Sequence, residues 1–150
     1  MSELRELYQT TILDHNRTPK NFRVPEDSNR EAEGYNPLCG DKVTIYLTVV
    51  DDTVQDVGFQ GMGCAISTAS ASLMTQAVKG RPLVEVMKIF GDFHNLVTAK
   101  PGKEPEVAGV GKLVVFSGVR DYPMRVKCAT LPWHTLRAAI ENSDGVAKTE

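Results

Sequence analysis

Between Val43 and Val50 the chain alternates strictly: Val43, Ile45, Leu47 and Val49 fall on one side, and Thr44, Tyr46, Thr48 and Val50 on the other. A period of two is that of a half-buried strand. Asp51 and Asp52 supply turn residues, and VQDVGFQG (54–61) reads as a second strand returning antiparallel. Upstream, Leu4, Leu7, Tyr8, Thr11 and Ile12 recur at helical spacing with Ser2 available as N-cap. That helix should end near HNRTPKNF, because Pro19 cannot continue it. Residues 24–37 are polar and irregular.

Beyond Gly61 and Gly63 the period changes to that of a helix. Ile66, Ala69, Ser70, Leu73, Met74 and Ala77 mark one face of a helix built largely of small residues. Gly80 suits its C-terminal cap, and Pro82 can open a further helix from Leu83 to Phe90. Residues 91–110 read as a long surface loop, with a short helix near Lys112–Ser117. A last helix should open near Cys128, with Leu131, Thr135, Leu136 and Ala139 on one face and Pro132 tolerated in its first turn. The tail from about residue 142 should fray. The pattern predicts a single α+β domain over 1–150, a small antiparallel β-sheet of about three strands with helices packed on it.

Composition narrows the partners. The 150 residues are 41% hydrophobic and 24% charged, ordinary globular usage that argues against disorder. Lys and Arg total 17 and Asp and Glu total 19, a net charge of −2 that suits neither a nucleic-acid backbone nor an anionic membrane surface. MSELRELYQT is no signal peptide, and no apolar run approaches membrane-spanning length, so a cytoplasmic location is expected. Three cysteines cannot all pair, which leaves reduced thiols for packing, metal binding or reactivity.

Those cysteines are Cys39, Cys64 and Cys128, with 24 and 63 residues between them. Local context is more informative than these spacings. Cys39 lies in YNPLCGD, where Gly40 lets the backbone bend or approach an ion. In an extended segment Cys39 and Asp41 would point the same way. Cys64 follows Gly63 at a predicted helix start, and Cys128 is also placed near one; helix N-termini favour thiolates. Arg125 and Lys127, with Arg120, concentrate positive charge before Cys128, which would favour its ionised form unless it is solvated surface charge. Gathered by the fold, Cys39, Asp41, Cys64 and Cys128 make a four-ligand Cys₃Asp set fit for zinc or for an assembling iron–sulfur cluster. Two plainer readings stand beside it: small buried hydrophobes, and a purely structural zinc, in which aspartate is an uncommon ligand. His15, His94 and His134 are scattered and read as packed or solvated residues, and Ser67, Thr68, Ser70 and Ser72 as close helix packing.

Taken together, LYQTTILDHNRTPKNF, NPLCGD, GFQGMGCAISTASASLM and RVKCATLPWHTL resemble the U-type iron–sulfur cluster assembly proteins, the family of IscU, SufU and the N-terminal part of NifU. The similarity runs from about Leu4 to Ala139. It implies the same four ligands, Cys39, Asp41, Cys64 and Cys128, with Gly40, Gly63, Arg125 and Lys127 in support, and an antiparallel sheet with packed helices. Three features resemble the SufU branch: Lys127 where scaffolds carry histidine, DYPMRVKC in place of a chaperone-recognition motif, and a long interval between Cys64 and Cys128. That branch implies a Zn²⁺-dependent sulfurtransferase, with Cys39 as nucleophile, served by a SufS-type cysteine desulfurase. Downstream SUF components or apo iron–sulfur proteins would receive the sulfur. The scaffold branch implies a [2Fe–2S] cluster or iron on the same ligands.

Overall fold

Three strands of the computed structural model form an antiparallel meander: β1 (Arg30–Asn36), β2 (Asp41–Val50) and β3 (Thr53–Met62). The structure describes residues 2–37, 40–99, 110–141 and 146–148. A short fourth strand, β4 (Val146–Lys148), pairs parallel to β1, giving the order β3-β2-β1-β4. The α+β class is as expected, with β4 added at the edge where a frayed tail was predicted.

The β2–β3 hairpin turns at Asp51 and Asp52, both at positive φ (52° and 58°), as a two-residue turn matched to strand twist requires. β1 occupies residues predicted to be irregular. Its alternation is real but polar: Glu31, Glu33 and Tyr35 are exposed while Ala32, Gly34 and Asn36 are buried, so no apolar period announces it.

Four α-helices and a 3₁₀ segment cover one face of the sheet: α1 (Ser2–Arg17), α2 (Ala65–Val78), α3 (Leu83–Thr98), the 3₁₀ segment (Gly111–Asp121) and α4 (Pro123–Glu141). In α1, Ser2 is already helical, so it is not the flanking cap, and the helix stops two residues short of Pro19. α2 is buried around most of its circumference, because α1 and α4 pack on it from different sides. Small side chains permit that: Ser70 and Ser72 are fully buried, and His15 Nδ1 stands 2.7 Å from Ser72 Oγ across the α1–α2 contact.

Two predicted boundaries move. α3 runs on to Thr98, burying Phe93, Leu96 and Val97, so residues 91–98 are helix and not loop. Gly91 is a tolerated helix-interior glycine there. The rest of the predicted loop, 100–109, lies outside the described residues. α4 opens at Pro123, a proline at the first helical position, and not near Cys128. Pro132 therefore sits in the helix interior and brings no N–H to the Cys128 carbonyl four residues earlier. No helix among the described residues is long and apolar enough to cross a membrane.

The core joins Ile45, Leu47, Val57 and Phe59 of the sheet to Leu131, Trp133 and Leu136 of α4. Trp133 stacks on Phe93 with centroids 4.9 Å apart, and Phe93 meets Phe116 edge-on at 5.8 Å. α4 crosses β1 at Gly34, where a β-carbon would run into Thr135 Oγ1 and approach Leu131. This closeness fixes how near α4 comes to the sheet. Gly34→Ala should overpack the contact and lower stability by about 1–3 kcal/mol with an unchanged denaturant m-value, as read by equilibrium chemical unfolding.

Candidate metal centre

Asp41 is the first residue of β2, paired across the hairpin with Asn36. Gly40 precedes it at φ +76°, with its N–H bonded to the Asn36 carbonyl at 2.8 Å, so the chain bends there and the extended run assumed for Cys39–Asp41 is not kept. Leu38 and Cys39 lie outside the described residues. Across the sheet end, β3 finishes at Met62 and α2 begins with Cys64 as its N-cap. The Cys64 sulfur takes the Ser67 N–H at 3.4 Å, in the manner of a capping serine or aspartate.

The Asp41 carboxylate is buried and ties these two elements together. Its Oδ1 accepts the Cys64 N–H at 3.0 Å, and its Oδ2 lies 3.5 Å from Cys64 Sγ. Gly63 lies between them, where a β-carbon would come to 3.2 Å from Asp41 Oδ1 and crowd the carboxylate. Cys128, on the second turn of α4, completes the group from the helix side. One ligand atom from each of Asp41, Cys64 and Cys128 lies within 4.8 Å of the others. Cys128 is buried and Cys64 reaches the surface, so the group opens on one side.

The donor set matches zinc in kind, and the Cys64–Asp41 separation matches it in spacing. A sulfur at 2.3 Å and a carboxylate oxygen at about 2.0 Å of a tetrahedral zinc stand roughly 3.5 Å apart. That is the separation of Cys64 Sγ and Asp41 Oδ2. Without a cation, the two thiols divide one proton. The Cys64 pKa falls to about 7, chiefly because Cys128 donates a hydrogen bond to it; burial and the Asp41 charge oppose the fall, and the Ser67 and Ile66 amides assist it. The Cys128 thiol is pushed up by that same bond, by burial and by the neighbouring negative charges. Of the two thiols placed at helix starts by the sequence, Cys64 alone caps a helix. Cys128 is not among the favoured thiolates. Arg125 lies with its guanidinium 4.5 Å over the Tyr122 ring, and neither it nor Lys127 enters among the causes that shift Cys128.

Residues 7–129 match the family of NifU-like N-terminal domains. This chain belongs to that family. It is 37% identical over 148 residues to the zinc-dependent sulfurtransferase SufU of Bacillus subtilis, covering 96% of each chain. It is 34% identical over 143 residues to the iron–sulfur cluster assembly scaffold protein IscU of Streptococcus pyogenes, covering 95% of this chain and 88% of that one. Among solved structures it resembles a putative iron–sulfur cluster assembly scaffold protein for the SUF system from Fervidobacterium islandicum, with a TM-score of 0.79 and 37% identity over 87% of this chain and 93% of that one.

In this NifU-like domain the structure thus brings three of the four expected ligands together; the fourth, Cys39, is not described. Of the supporting residues, Gly40 and Gly63 shape the backbone at Asp41, while Lys127 lines a groove on another side of α4. Sequence reasoning missed that His94 and His134, far apart in the chain, face one another with ring centroids 6.2 Å apart across that groove. Their shared neighbour Phe90 was in view, but no sequence period links α3 to α4.

The shared proton has a measurable consequence in metal-free protein. Cys64 ionises below its ordinary range, so its thiolate grows in as pH rises through about 7, and its alkylation, followed by peptide mass spectrometry, should show that midpoint. Cys128 should stay slow at the same pH. Cys128→Ala removes the donor and should move the Cys64 midpoint upward; an unmoved midpoint would rule out the shared proton.

Proposed function

We propose that this NifU-like domain is a zinc-dependent sulfurtransferase of iron–sulfur cluster biogenesis, acting in the cytoplasm. It takes persulfide sulfur from a SufS-type cysteine desulfurase and passes it to downstream SUF components or apo iron–sulfur proteins. The observation that carries this reading is the convergence of Asp41, Cys64 and Cys128 at the open end of the sheet. With Cys39 these residues form the Cys₃Asp set that would hold zinc. When bound, zinc supplies a charge that keeps the coordinating sulfurs deprotonated and screens them from oxidation.

Cys39 is the nucleophile in this scheme. It falls in sequence between β1 and β2, beside Gly40 at φ +76°, and so outside the helices α2 and α4 that hold the other two thiols. Cys64 and Cys128 are anchored in α2 and α4, where Asp41 holds the Cys64 backbone. The Cys39 thiolate attacks the outer sulfur of the desulfurase persulfide. A new S–S bond forms on Cys39, the old one breaks, and the desulfurase cysteine leaves as a thiolate. An acceptor thiolate then attacks the outer sulfur on Cys39 in the same way, restoring the thiolate of Cys39.

A scaffold that builds and hands over a [2Fe–2S] cluster would use the same ligands, and relatives named as scaffolds support considering it. Lys127 favours sulfur transfer. It stands where scaffolds of the resembled family carry histidine, a feature shared with the sulfurtransferase branch.

Protein purified without added metal should carry one zinc per chain, and Cys64→Ser and Cys128→Ser should each lose it. With a SufS-type desulfurase and cysteine, the zinc form should raise turnover, and mass spectrometry should find the persulfide on Cys39. Cys39→Ser should return turnover to the level of desulfurase alone. Full zinc in both single variants would dissolve the shared site, and persulfide confined to Cys64 or Cys128 would reassign the nucleophile. Anaerobic reconstitution with iron and desulfurase separates the two readings. A cluster at one per site that passes to an apo-acceptor, with no stimulation by the zinc form, would favour the scaffold.

A further inference from the structure

A groove of about 330 Å³ lies where the end of α3, the end of the 3₁₀ segment and the first half of α4 meet. Its lining includes His94, Arg120, Lys127 and His134, with Val97 and Val126 among its apolar walls. The lining positions on α4 recur every three or four residues, from Pro123 to His134, and so form one stripe. Cys128 projects roughly 100° or more around the helix from that stripe. The groove and the thiol cluster are thus on different sides of one helix. Its volume is at the lower end of those that hold small molecules.

The chemistry of the lining is one-sided. Arg120 and Lys127 carry permanent positive charge, and no Asp or Glu stands among the described residues of the groove. Among the described residues, no carboxylate pairs with Lys127. The hydroxyl hydrogens of Thr98 and Thr130 are committed to the carbonyls of His94 and Val126, at 2.6 and 2.9 Å. What Lys127 and the two imidazoles present is a set of ammonium and ring N–H donors. Such a set selects a ligand made of acceptors.

The donors are also held in place. Phe90 stacks on His94 at 6.3 Å, meets His134 edge-on at 5.5 Å, and carries the Arg137 guanidinium 5.5 Å over its ring. Burial, and after it the charges of Arg137 and His94, hold the His134 pKa below its ordinary value. Rings fixed by packing lose little freedom when a ligand arrives.

We propose that this groove binds a small multivalent oxyanion, of the phosphate or dicarboxylate class, through Lys127 and the paired imidazoles of His94 and His134. This site is separate from the thiol cluster and does not depend on how that cluster functions.

The test uses the full chain as purified, titrated with sodium phosphate and, in a second arm, sodium succinate, against sodium chloride at matched ionic strength. The readout is the ring signals of His94 and His134 by NMR, with thermal melting beside it. Saturable shifts in both histidines with phosphate or succinate, and not with chloride, are expected; the tighter arm identifies the anion class. Lys127→Gln should weaken that binding about fivefold or more, the size of one charge-assisted hydrogen bond in a partly exposed site. Lys88→Gln makes the same charge change on another face of α3 and should alter affinity less than about twofold, as expected of a screened surface charge. His134→Gln should weaken binding as Lys127→Gln does; if that variant fails to fold, Lys127→Gln decides alone. Shifts that track ionic strength without saturating, or binding that Lys127→Gln leaves intact, would overturn the proposal.

Discussion

Ser70 gives its hydroxyl hydrogen to the Ala129 carbonyl at 2.6 Å, and both residues are fully buried. On that contact the candidate site stands. It locks α2 to α4 at a distance that only small side chains allow. Cys64 caps one of these helices, and Cys128 is the residue before Ala129 on the other. The buried Ser70 hydroxyl is satisfied by this helix carbonyl, so removing the acceptor while the hydroxyl stays buried would cost about 1–3 kcal/mol. The run of Ala and Ser along α2 is weakly hydrophobic by itself. Its contribution is proximity, because it brings α1 and α4 close from two sides.

Given that approach, the site's electrostatics follow. A buried carboxylate and two sulfurs cannot all be negative without a counter-charge. Asp41 takes the Cys64 amide, and Cys128 keeps a proton and donates it toward Cys64. This is an arrangement a cation relieves: it replaces the shared proton and offers each donor an opposite charge. Cys64 is the member of the cluster that reaches the surface, while Cys128 is buried.

α4 serves two neighbourhoods at once. One side carries Cys128 and the core residues Leu131 and Leu136, and another carries Lys127 and His134 against α3. The separation is a matter of helical phase, roughly 100° per residue, which puts two adjacent residues into different environments. Lys127 and Cys128 are neighbours in sequence and belong to different surfaces.

Much of this was determined by the sequence alone. The period-two run from Val43, the Asp-Asp turn and the small-residue helix after Gly63 are local signals, and each element formed where its signal lay. The candidate ligands Cys39, Asp41 and Cys64 stood out because each adjoins a glycine, whereas Cys128 was singled out by a predicted helix start that the structure moves to Pro123. The tertiary structure decided what local signals do not encode. β1 is a strand because Gly34 and Ala32 face α4, though its exposed side is all Glu and Tyr. α3 continues past Gly91 because Phe93 finds partners in Phe116 and Trp133, residues more than twenty positions away. Pro132 is carried inside α4 because packing on both sides outweighs one lost hydrogen bond. The meeting of Asp41, Cys64 and Cys128, and of His94 with His134, depends on helices crossing in space, and periodicity along a chain carries no record of a crossing.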